Sequence, residues 1–149
     1  MKKKYIFLLV FLSFFAWKAN AQVTSFPFTE GFEGTTFPPT NWSQSQQSGT
    51  TNWTSKNGNQ NTSVSAYAGS LNAYFYTSSR SNSTQLINPA MDISGVTNPR
   101  LTFWHSQVEL SGDQDTLGVY YRTTATGTWT LLTSYSNQVS SWTERTIDL

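Results

Sequence analysis

Large side chains recur at every second position at Leu101, Phe103 and His105, and again at Leu117, Val119 and Tyr121. This period of two is the signature of β-strands, whose successive side chains point to opposite faces. Both runs lie within Gln85–Arg122, where apolar segments are separated by Asn-Pro, Ser-Gly, Asn-Pro and Ser-Gly-Asp. Those residue types make turns. The pattern predicts a short strand at Leu86-Ile87, a turn, a long strand from Leu101, a loop and a further strand at Leu117–Tyr121. On the long strand, Leu101, Phe103 and His105 face one way and Thr102, Trp104 and Ser106 the other. Large groups on both sides predict a strand covered on both faces. Pro89 and Pro99 lack the N–H a ladder needs and mark strand ends or corners.

The flanking regions extend the pattern. Phe26, Phe28 and Phe32 recur at even spacing and predict a first strand within Val23–Gly34, confined to an edge by Pro27. Residues 41–61 are polar and low in complexity, with only Trp42 and Trp53 large enough to pin a loop or short strand to a core. Leu71–Thr77 is rich in β-formers. Ala125–Gly127 is a hairpin turn, Trp129, Leu131 and Leu132 begin the next strand, Asn137–Ser141 is a loop, and Trp142–Leu149 is a last strand. After residue 21, no stretch has apolar residues at helical spacing. The fold class is therefore all-β, an antiparallel sandwich or barrel. The sequence ends inside a strand, and an unpaired strand edge is a template for association. The expectation is a C-terminally incomplete domain: either another strand covers that edge in trans, or the sequence is a fragment.

Targeting and charge change the picture next. Lys2, Lys3 and Lys4 precede an apolar run from Tyr5 to Trp17, followed by Ala19-Asn20-Ala21. This is the plan of a secretory signal peptide, residues 1–21, cleaved near Ala21. The run is shorter than the roughly 20 residues of a membrane span, so residues 22–149 form the mature domain, with no transmembrane helix expected. The whole chain has 9 basic and 8 acidic residues; four of the basic ones leave with the signal, so the mature charge is −3. A sparsely charged, weakly acidic chain is not built for nucleic acid. Cysteine is absent, which excludes disulfides, thiolate metal sites and cysteine nucleophiles, and leaves core packing to hold the domain together. At 15% aromatic and 11% charged, the composition is unlike that of disordered chains.

With these segments in order, the chain resembles a known family. The runs TQLINPAMDISGVTNPRLTFWH, DTLGVYYR, GTWTLL and SWTERTIDL are similar to the MAM-like cleaved-adhesin, or choice-of-anchor J, modules of secreted Bacteroidota proteins, which include the gingipain adhesin domains. Leu86-Ile87-Asn88-Pro89, Leu101-Thr102-Phe103 and Asp115 match that family's motifs, as do FPFTEGFEG, Pro38 and Trp42. The resemblance spans Phe26 to Leu149. It implies a jelly-roll β-sandwich of antiparallel strands, here lacking its last strands, and a role in extracellular binding. By the same analogy Glu33, at the family's Phe-Glu position, is a candidate metal ligand. It would hold a structural Ca²⁺ with backbone carbonyls near Gly69–Asn72, although the family's last-strand Asp has no counterpart here. Ca²⁺ takes about 6–8 oxygen ligands.

Other groups are weaker candidates. Glu30 lies beside Glu33. Glu109, Asp113 and Asp115 surround Ser111-Gly112 without completing an EF-hand, and read as a charged loop. His105 is the only histidine and has no nucleophile motif around it, so a packed, hydrogen-bonded ring is expected. Asn41, Asn52, Asn61 and Asn82 open Asn-x-Ser/Thr triplets that arise readily in so polar a chain. Trp104, Trp129, Trp142, Tyr120 and Tyr121 could supply a sugar-stacking face where they are exposed. The expected function is a non-catalytic extracellular adhesion module, secreted or at the cell surface, that recognises a protein or carbohydrate. The alternative is an N-terminal accessory domain of a larger secreted peptidase or glycoside hydrolase. No cofactor beyond the candidate Ca²⁺ is indicated, and edge-strand association is the expected self-contact.

Overall fold

The computed structural model describes residues 22–60, 63–79 and 81–149; the expected signal peptide and Asn61 lie outside these. The protein is all-β, with eight strands and no helix among the described residues. The strands are β1 (Ser43–Ser48), β2 (Thr54–Lys56), β3 (Asn72–Tyr74), β4 (Ser83–Ile87), β5 (Arg100–Gln107), β6 (Leu117–Tyr121), β7 (Thr130–Tyr135) and β8 (Val139–Asp148). All ladders are antiparallel, in four two-stranded ribbons: β1–β4, β2–β3, β5–β8 and β6–β7. The pairing is nested twice, since β2–β3 lies within the β1–β4 connection and β6–β7 within the β5–β8 connection.

The prolines act as expected: β4 ends at Ile87, before Pro89, and β5 begins at Arg100, after Pro99. The last strand forms but starts earlier than its sequence suggests, at Val139. Its ladder runs from Arg100↔Asp148 to Gln107↔Val139, with an irregularity beyond His105↔Thr143. Arg100 Nε also binds Asp148 Oδ1 at 2.8 Å.

The expected first strand is overturned. The phenylalanines at Phe26, Phe28 and Phe32 do not form a strand; only Val23 makes an isolated bridge, to Met91. Phe32 has φ 62°, which ends any extended run. Its ring packs on Phe37 and edge-on against Trp42, with centroids 5.9 and 5.3 Å away. Of the loop or short strand left open for residues 41–61, the polar stretch SQSQQS is a strand, β1, paired with β4 through Ser43↔Ile87 and Gln44↔Leu86.

The interior differs from a packed core. Among the described residues no large aliphatic or aromatic side chain is buried; Pro89 is, and the buried polar residues are Asn59 and His105, 7% and 6% exposed. Apolar residues such as Leu101, Phe103 and Ile147 are half-buried. Side-chain contacts tie the ribbons together instead. Trp53, just before β2, packs against Phe75 with tilted rings, centroids 5.4 Å apart, and donates from Nε1 to Thr84 O of β4 at 2.8 Å. Tyr135 of β7 meets Phe103 and His105 of β5, and the Arg145 guanidinium of β8 lies 4.6 Å from its ring centroid.

Candidate functional site

Glu33, the candidate metal ligand, is brought to the Gly69–Asn72 loop as expected, but the loop offers it amides rather than carbonyls. Its Oε1 accepts from Ser70 N and Leu71 N, both at 2.9 Å, and Oε2 accepts from Ser70 N at 3.1 Å. Gly69 has φ 67°, and a Cβ there would lie 2.3 Å from Glu33 Oε1. The glycine therefore allows the close approach of loop and carboxylate. Glu30 serves locally, its Oε1 accepting from Phe32 N at 2.6 Å. Among the described residues, no three His, Cys, Asp or Glu side chains come together as a metal site. Glu33→Gln places an amide N–H against backbone N–H donors and should cost about 1 kcal/mol. Thermal melts with added calcium and with chelator check this. A loss that is equal in both reflects the loop contact, and a loss that appears only with calcium reflects a bound cation.

The acids near Ser111-Gly112 lie on a tight turn. Leu110 N donates to Asp113 O at 3.1 Å and Asp113 N to Leu110 O at 3.0 Å. Ser111 and Gly112 have φ 55° and 79°, the left-handed pair that a two-residue hairpin requires.

His105 is packed as its sequence context suggests. Its Nε2 lies 3.1 Å from Gln107 Oε1. The Gln107 amide nitrogen donates to Asp115 O at 2.5 Å and to Tyr135 O at 3.5 Å. Those two carbonyls fix the amide orientation, so Oε1 faces the ring and Nε2 must carry the hydrogen. Nδ1 is then a buried lone pair with no partner among the described residues. Burial lowers the His105 pKa below its ordinary value, the Gln107 hydrogen bond opposes this, and the Arg145 charge adds to the lowering. The folded state thus takes up a proton less readily than the unfolded chain, and stability falls as pH drops through and below the unfolded histidine value. His105→Gln should flatten the fall in melting midpoint between neutral and mildly acid pH, where carboxylates contribute little. Melts of both proteins across that range check it.

An open cleft of about 310 Å³ is lined by Val23, Phe28, Glu30, Pro39, Trp42 and Pro89, among others. Among the described residues Glu30 is the only titratable side chain on it, so these residues place no acid–base pair there.

The aromatic candidates separate. Trp129 lies under the Arg122 guanidinium, 4.3 Å from it. Tyr120 and Tyr121 are exposed on β6. Trp104 lies on the outward face of β5, where the ring of Tyr67 stacks on it at 3.7 Å between centroids and 13° between planes. Tyr67 covers only part of the outward face of β5, where Thr102 and Trp104 stay exposed, so the strand is not buried on both faces as its sequence predicts. Tyr67 belongs to the connection between β2 and β3, and that connection is clamped onto the β5–β8 ribbon. Asn59 Nδ2 donates to Ser106 Oγ at 2.7 Å, and Trp142 Nε1 donates to Ser65 O at 2.7 Å. Within it, Ala66 N donates to Asn57 Oδ1, and Gly58 N donates to Asn72 Oδ1 at the start of β3, both at 2.8 Å. Both rings stay accessible, Tyr67 at 50% and Trp104 at 38%. Sequence reasoning missed Tyr67. The one local signal was Asn57-Gly58, a turn dipeptide that fixes where the connection folds back.

Searches against protein-family models, curated proteins and solved structures found no match to this chain.

Proposed function

We propose that this chain is a non-catalytic extracellular binding module, acting in adhesion or surface recognition. The observation that supports it best is the Tyr67–Trp104 stack. It is an aromatic surface held in a fixed orientation by a clamped loop, yet left half open to solvent. Large aromatic groups at low ordering cost are what recognition surfaces use. The signal-peptide pattern and the resemblance to cleaved-adhesin modules agree with this reading, and a jelly-roll sandwich is the architecture it carries. The chemistry of the described residues points the same way. The one histidine is bonded to Gln107 and sits beside Arg145 and Tyr135, and the carboxylates are dispersed or engaged with backbone amides.

The test is binding by the secreted protein to immobilised glycans, matrix proteins and whole cells, alongside turnover assays on peptide and glycoside libraries. Saturable binding without turnover is expected. Binding to none of the three surfaces, or measurable turnover, overturns the reading.

A further inference from the structure

Resting on the binding-module reading, we propose that Tyr67, Trp104 and Glu144 form a subsite for a neutral pyranose sugar. Trp104 occupies the outward face of β5, directly opposite Glu144 of β8, and the adjacent outward pair is Thr102↔Thr146. Side chains directly opposed on antiparallel strands have Cβ atoms about 5 Å apart. The ribbon therefore sets a carboxylate and two threonines along the edge of an aromatic surface.

Each part matches a part of a sugar. The C–H face of a pyranose is apolar and packs on an aromatic face, while its hydroxyls need hydrogen-bond partners at the rim. A carboxylate accepts two hydrogen bonds from neighbouring hydroxyls. The Glu144 carboxylate has no hydrogen bond or ion pair with any described residue, so it is available to accept them. Its charge also selects. The neighbouring arginines are engaged elsewhere: Arg100 with Asp148 at the ribbon's end, and Arg145 with Tyr135 on the opposite face. An acidic sugar would meet an uncompensated negative charge, so the site takes neutral sugars.

The clamped connection explains why the platform exists before the ligand arrives. A lone exposed tyrosine would lose rotamer freedom on binding. Tyr67 has already lost it to Trp104, and its loop is fixed at Ser65 and Asn59.

The secreted protein is titrated with neutral oligosaccharides (cellohexaose, xylohexaose, mannohexaose, chitohexaose) and with acidic ones (oligogalacturonate, sialyllactose). Calorimetry and tryptophan fluorescence give the readout. At least one neutral sugar is expected to bind and to perturb the tryptophan emission. Tyr67→Ala should weaken that binding about tenfold or more, as expected for losing one aromatic stack. Tyr67→Phe should retain it, which separates lost stacking from a disturbed loop. Glu144→Gln should weaken neutral sugars and relax the exclusion of acidic ones. If no neutral sugar binds while the same preparation binds matrix protein or cells, the sugar subsite is wrong and the binding-module reading stands. If it binds nothing at all, both fail. Neutral-sugar binding that is indifferent to Tyr67→Ala also overturns the site.

Discussion

Gly58→Ala should abolish ligand binding at the Tyr67–Trp104 platform without touching it, and lower stability by about 2–4 kcal/mol. Gly58 is buried at φ 80°, in the left-handed region where an added Cβ is itself a strain. The Cβ would also sit 1.7 Å from Val64 O and 2.7 Å from Val64 C. These are backbone atoms, and no rotamer change can relieve the overlap. Val64 is on the return limb of the connection, and Asn59 N donates to its carbonyl at 3.4 Å. The limbs must therefore part, and the clamp at Ser65 and Asn59 opens with them. Two readouts check this: a melting midpoint lowered by several degrees, and loss of the fluorescence signature of the stacked Trp104. A Gly58→Ala protein that melts like the parent would show that the connection adapts.

Where local chemistry decides structure, this sequence is readable. The alternation of Leu101, Phe103 and His105, with Pro99 before it, marks β5 closely. The last strand is readable for the same reason. Phe26, Phe28 and Phe32 mislead because even spacing says nothing about backbone angle, and Phe32 turns left-handed to reach Phe37 and Trp42. SQSQQS leaves loop and short strand equally open. It lacks a hydrophobic alternation because its strand is held by polar groups: the β4 ladder and the Gln44 side chain. The expected reliance on core packing fails for a related reason. The apolar faces of the ribbons are only half covered, and hydrogen-bonded side chains make the joints. The candidate site was half legible. Trp104 stands out in the sequence, but its partner Tyr67 comes from a distant connection whose path is set by asparagine side chains, and spacing does not encode that. Glu33 was correctly linked to the Gly69–Asn72 loop, but whether amides or carbonyls face it depends on loop dihedrals.

Trp53→Ala should be the most damaging single truncation in the β1–β4 half, costing about 3 kcal/mol. Trp53 joins two ribbons that share no ladder. Its ring rests on Phe75 beyond β3, and its indole N–H reaches Thr84 O of β4. The main chain at the same residue is bracketed by the Gln44 amide, which accepts from Trp53 N at 2.7 Å and donates to Trp53 O at 3.0 Å. Gln44 thus acts as a short surrogate strand, binding one residue as a ladder partner would. Truncation removes the ring contacts and leaves Thr84 O without that donor. Trp53→Phe separates the contributions: it keeps most of the packing and loses only the indole donor, so it should cost about 1 kcal/mol. Gln44→Ala attacks the bracket alone, and its loss should be less than additive with Trp53→Ala because both act on one joint. Denaturant melts of the three variants and the double variant give these values. Strict additivity would mean that ring and bracket hold the ribbons independently, and the single-joint account would be wrong.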